Sequence, residues 1–134
     1  MQALGNTGDL RALAAIVPYL THAEASFRAV ATSSLRFMIG SEIGELIIAA
    51  MADKEPMVRG AAVGAISSRP VAGMVAALDK LLRGESEVTI RLAIVNAMNM
   101  KRKEAPVLDE SLAWAAEEDP SSAVRALAKQ VLGK

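Results

Sequence analysis

The 134-residue sequence contains no cysteine, which excludes disulfides, thiolate nucleophiles and cysteine-ligated zinc together. Aromatic residues make up only 3% of it: Tyr19, Phe27, Phe37 and Trp114. A core must therefore be built from small and aliphatic side chains, which favours packed helices over a sandwich of β-strands. Charge of one sign is also lacking, since 15 Lys and Arg balance 15 Asp and Glu. A general binder of nucleic acid or of anionic membranes carries a basic surplus, so neither partner is expected. No window reaches the roughly 18 uninterrupted apolar residues that span a bilayer. No basic segment leads into an apolar stretch at the N-terminus, so no signal peptide is visible and the cytoplasm is the default expectation. The length suits one domain with a modest core.

What is present is a repeat. Hydrophobic residues are 52% of the chain, with a mean hydropathy of +0.29, and they recur in a fixed frame. Four arginines follow a bulky apolar residue, at Phe27-Arg28, Val58-Arg59, Ile90-Arg91 and Val124-Arg125, with spacings of 31, 32 and 34. Three residues after each Arg stands Ala31, Ala62, Ile94 or Ala128; six and seven after come Ser34-Leu35, Ala65-Ile66, Ala97-Met98 and Val131-Leu132. The offsets −1, +3, +6 and +7 share one face of a helix, so each Arg sits early in an amphipathic helix. Six residues before each Arg lies His22, Asp53, Glu85 or Asp119, in the polar stretches THAEAS, DKEP, GESE and EEDPSS. These read as turns, and Asp119-Pro120 carries a helix-start signature. Upstream of each turn a second helix is predicted, over 10–20, 42–51, 71–82 and 106–117. Their apolar stripes are Leu13, Ile16, Val17 and Leu20; Ile43, Leu46, Ile47 and Ala50; Met74, Val75, Leu78 and Leu81 or Leu82; and Leu108, Leu112 and Ala115. A helix pair cannot bury its apolar face alone, so successive pairs must stack.

This frame resembles the HEAT repeats, whose pattern is an acid in the turn, an Arg six positions on, then Ala and Leu at fixed offsets. DKEPMVRGAAVGAI and EEDPSSAVRALAKQVL match it closely; GESEVTIRLAIVNAM has Glu for Asp, and HAEASFRAVATSSL has His22 where the acid belongs. The resemblance implies an all-α fold, a right-handed α-solenoid of about four HEAT-like pairs, as a single domain over 1–134 with units 9–40, 41–69, 70–103 and 104–134. Residues 1–8 are then the remnant of a preceding repeat. In that register ALGNTGD is the last turn of a second helix, with a glycine stop and Asp9 as the next cap. The chain is accordingly expected to be part of a longer array, or to cover an exposed end by self-association; otherwise Leu13 and Ile16 face solvent. LGNTGD followed by ALAAIVPYL is also similar to the helical repeats of vitellogenin-like lipid-transport proteins, which implies lipid or apolar-ligand handling as an alternative.

Few residues support chemistry. His22 stands alone in a polar turn, without a repeated Ser and Asp arrangement near it. The run Glu117, Glu118, Asp119 reads as a solvated turn. GNTG lacks the Lys-Ser/Thr of a phosphate loop and follows no strand. The basic cluster Lys101, Arg102 and Lys103 suits a helix C-terminus, although some HEAT-like proteins are DNA glycosylases that hold the duplex in a basic concavity. The column Arg28, Arg59, Arg91 and Arg125 is expected to pair with the turn acids Asp53, Glu85 and Asp119 and hold the repeats in register. No catalytic residue, cofactor or metal site is expected. In HEAT arrays the second helices line the concave face, and their small, neutral positions outside the core stripe have two readings: close packing against neighbouring helices in a tightly curved solenoid, or a shallow groove that forms the candidate binding surface. At +4 these are Thr32, Val63, Val95 and Lys129; at +5, Ser33, Gly64, Asn96 and Gln130; at +8, Arg36, Ser67 and Asn99. The expected role is a non-enzymatic scaffold or docking module for a protein or peptide, with a HEAT-like lyase or glycosylase the most remote reading.

Overall fold

The computed structural model describes residues 10–134, so the reading of ALGNTGD lies outside the described residues. Among those described, the chain is all-helical, with eight α-helices, one 3-10 turn and no strand. It divides into two compact units that meet at Arg69 and Pro70, where the single-domain reading places only a repeat boundary.

The first unit contains α1 (Leu10–Leu20), α2 (Ala25–Ser34, continued by a 3-10 turn over Leu35–Phe37), α3 (Ser41–Met51) and α4 (Pro56–Ile66). Within it α1 packs on α2, α3 packs on α4, and the second helices α2 and α4 lie against each other. The second unit contains α5 (Val75–Gly84), α6 (Val88–Lys101), α7 (Leu108–Glu118) and α8 (Ser122–Val131). It repeats the arrangement: α5 on α6, α7 on α8, and α6 against α8. The short polar turns force each pair into a hairpin.

The periodic positions carry the core. Ala31, Ala62, Ile94 and Ala128 at +3 are all buried, as are Leu35, Ile66 and Met98 at +7. Ala at +3 leaves no bulk between the paired helices, which lets Ile43 and Ile47 of α3, or Leu108 and Leu112 of α7, reach full burial. Each such aliphatic side chain contributes roughly 1.5–3 kcal/mol by leaving water.

Three local expectations are corrected. Helix α5 begins at Val75 and not at 71, because 71–74 form a turn in which the Met74 amide donates to the Val71 carbonyl at 2.8 Å and Gly73 takes φ +81°. The left-handed region ends helical propagation there. Val17, placed on the α1 stripe, is 42% exposed, while Ala12 and Ile16 are buried. Leu13 is half-buried. Phe27 is exposed at the −1 position that Val58, Ile90 and Val124 bury. It lies instead against His22, with ring centroids 4.5 Å apart, and against Tyr19 at 6.1 Å.

Candidate functional site

The turn preceding each second helix is built the same way four times. A side-chain acceptor takes the backbone N–H two residues on, at the N-cap. Asp53 Oδ1 accepts from Glu55 at 2.9 Å, Glu85 Oε2 from Glu87 at 3.0 Å, and Asp119 Oδ1 from Ser121 at 2.9 Å. In the first repeat His22 Nδ1 accepts from Glu24 at 3.0 Å. A neutral imidazole nitrogen thus performs the turn-closing task of a carboxylate oxygen. The backbone carbonyl of that same residue accepts from the Nη1 of the Arg six positions on: Arg28 to His22 at 2.8 Å, Arg59 to Asp53 at 2.9 Å, Arg91 to Glu85 at 2.8 Å and Arg125 to Asp119 at 2.7 Å.

The other edge of the guanidinium reaches the next turn. Arg28 Nε and Nη2 donate to the two oxygens of Asp53 at 2.9 and 3.1 Å. In the second unit Arg91 Nε donates to Asp119 Oδ2 at 3.1 Å. One Arg therefore clamps its own turn through a carbonyl and the following turn through a carboxylate. Charge pairing shows in the titration of both partners: the hydrogen bond from Arg28 holds the Asp53 carboxyl below its ordinary range, and the same bond raises the Arg28 guanidinium.

The surface expected from the second helices is only partly exposed. Thr32, Val63 and Val95 at +4 are buried, so three of the four +4 residues leave the candidate surface. Thr32 has turned its hydroxyl onto the Arg28 carbonyl at 2.7 Å. At this position only Lys129 faces solvent. At +5 Ser33 is half-buried while Gly64, Asn96 and Gln130 are exposed; at +8 Arg36 and Asn99 are exposed and Ser67 is half-buried.

What these helices do present is an open groove of about 500 Å³ in the first unit, lined by Ser26, Ala29, Val30 and Ser33 of α2 and by Met57 and Ala61 of α4. These are the −2, +1, +2 and +5 positions, of which only Ser33 belongs to the expected surface. The signal that could have found it is apolar side chains off the core stripe: Val30 is 48% exposed and Met57 55%. In the second unit Asn99 lines a recess of about 380 Å³ with Arg102, Lys103 and Asp109. Asn96 is not part of that lining.

The basic cluster is largely engaged. Arg102, the C-cap residue of α6, donates to Asp109 from Nε at 2.7 Å, and its Nη1 donates to the Val131 carbonyl at the end of α8 at 2.5 Å. Lys101 lies 3.9 Å from Glu104. Two further clamps had no repeat to betray them. Arg69 Nη1 donates to the carbonyls of Leu35 and Met38, closing the end of α2, while burial depresses its pKa and leaves its Nε without a partner. The Glu104 carboxylate accepts the Val71 amide.

Among the described residues, no three His, Cys, Asp or Glu side chains converge as a metal-binding group, and no helix is long and apolar enough to cross a membrane. No protein-family model matches the chain, and no curated protein matches it either.

Proposed function

We propose that this chain is a module of HEAT-like repeats, its helix pairs continuing as one right-handed α-solenoid, and that it works without catalysis as a docking scaffold for a protein or peptide. The observation that carries the reading is the α2–α4 groove, where Val30 and Met57 stand exposed between small residues. Aliphatic side chains left in water beside Ala and Ser floors suit an extended or helical segment that inserts its own aliphatic residue. The groove is open and shallow, which suits a peptide better than an enclosed acyl chain. The four-fold turn clamp supports the repeat reading, because it ties each second helix to a fixed acceptor six residues earlier.

The test is capture of a partner from lysate of the source cells. A Val30→Glu, Met57→Glu double variant is expected to lose the partner while its unfolding temperature stays within a few degrees, since both side chains are exposed. Asn96→Ala with Asn99→Ala should retain it. Capture unaffected by the first pair would remove the groove from the function. Native mass spectrometry of the purified chain is expected to find protein without bound lipid; a co-purified lipid would favour the apolar-ligand alternative.

A further inference from the structure

Two exposed apolar features of the first unit are bounded on both sides by described helices. One is the α2–α4 groove, walled by Val30 and Met57. Its two helices already pack on each other, so a further stacked repeat does not fill it. The other is Ile39, between α2 and α3, which at 84% exposure stands further into water than any other large hydrophobic side chain among the described residues. Its loop is fixed from both sides. The Met38 carbonyl before it accepts from Arg69 Nη1, while Gly40 after it takes φ +142° with the Glu42 carboxylate 3.0 Å from where a Cβ would stand. A side chain held out on a fixed backbone loses little freedom on docking.

We propose that the groove takes Ile39 from a second copy of this chain, the two copies exchanging loops about a two-fold axis. This inference rests on the groove being a docking site and names its occupant. At its level of exposure Ile39 is not in the groove of its own copy. Charge complements shape. The loop carries Arg36 three residues before Ile39 and Glu42 three after, both exposed. The helices of the groove start from Glu24 and Glu55, exposed residues whose carboxylates make no cap hydrogen bond, with Lys54 exposed beside Glu55. Docking sets Arg36 against the two carboxylates and Glu42 against Lys54. Groove and knob also share one helix. Val30 lies within α2 and Ile39 follows its 3-10 extension, which puts at least roughly 12 Å between Val30 and Phe37 along the axis. Two antiparallel α2 helices therefore make both insertions at once, the self-complementarity that a two-fold interface requires. A different protein would satisfy the groove or the loop; a second copy satisfies both.

The test is sedimentation velocity of the full chain from about 5 µM to about 1 mM, the range in which small interfaces associate. The mass is expected to rise from 14.1 kDa towards twice that value. Ile39→Ser and Met57→Glu should each weaken dimerisation by at least about tenfold, with the unfolding temperature held, because both side chains are exposed. Mixing the two variants restores one insertion, the Ile39 of one copy entering the unaltered groove of the other. The mixture should therefore associate more tightly than either variant alone. A monomer at about 1 mM, a dimer indifferent to either substitution, or a mixture no tighter than its components would each overturn the proposal. A monomeric chain whose partner capture is lost in the Val30→Glu, Met57→Glu variant would overturn only the second copy as occupant, whereas capture unaffected by that variant overturns the groove itself.

Discussion

Asp119 and Asp109 both accept a hydrogen bond from an arginine Nε, at 3.1 and 2.7 Å, yet the two pairs differ in worth. The Asp119 side chain is 0% exposed and that of Arg91 8%, whereas the Asp109 side chain is 48% exposed. Removing one member of a buried pair strands the other, so Asp119→Ala should cost about 3–5 kcal/mol in urea unfolding. Asp109→Ala should cost no more than about 1 kcal/mol, since water screens that pair. Asp53 lies between them and sets the acid response. Its pKa is lowered chiefly by the hydrogen bond from Arg28, with the Glu55 amide and the charges of Arg28 and Lys54 adding to it against desolvation. A group lowered on folding contributes fully above its unfolded pKa, near 3.9 for Asp, and loses that contribution as pH falls through the lowered value. Thermal scans from about pH 5 to 2 should therefore show a falling limb that Asp53→Asn flattens. His22 makes the complementary case. His22→Asn keeps an acceptor for the Glu24 amide and is expected to be neutral within about 0.5 kcal/mol, while His22→Ala should cost about 1 kcal/mol. The Arg column was legible because its spacing is regular. The role of His22 was not, because an imidazole does not look like a carboxylate until its Nδ1 is seen closing the turn.

At the scale of the element, backbone conformation separates glycines that composition treats alike. Gly73 ends the turn before α5 with φ +81°, whereas Gly44 lies inside α3 with open space where a Cβ would stand. Gly73→Ala is expected to lower stability by about 1 kcal/mol, because the left-handed region is strained for any other residue. Gly44→Ala should raise it by about 0.5–1 kcal/mol through better helix propensity and a less free unfolded chain. A pair of thermal melts decides both signs. The helices themselves were legible: α1 and the later first helices follow the 3.6-residue period, although the start read at Asp119-Pro120 lies before the helix, whose cap is Ser121. The start of α5 was misplaced because Val71 and Met74 are buried like helix-stripe residues while lying in a turn. The second-helix surface was rotated by about one position for a related reason. Periodicity identifies the most apolar stripe, but the burial of Thr32, Val63 and Val95 depends on packing that no single-helix pattern contains.

At the scale of the whole molecule, the proposed solenoid makes a size prediction that its residues do not. A compact domain of 134 residues has a radius of gyration of about 14 Å. Small-angle scattering should give a larger value for an elongated array, and a value at the compact limit would count against the solenoid. The balanced charge predicts that the protein leaves heparin at low salt. Amino-acid order by itself determined the helical class, the pairing of helices through short polar turns and the frame of arginines six residues after each turn acceptor. Those properties follow from local rules: side-chain periodicity, capping chemistry and the scarcity of aromatic residues. Tertiary structure alone decided which atom of each Arg serves which turn, that +4 is buried at Thr32, Val63 and Val95, and that Val30 and Met57 flank a groove. The physical reason is that burial is a property of two surfaces at once. A sequence describes each helix face completely, yet only the partner helix determines which part of that face loses its water.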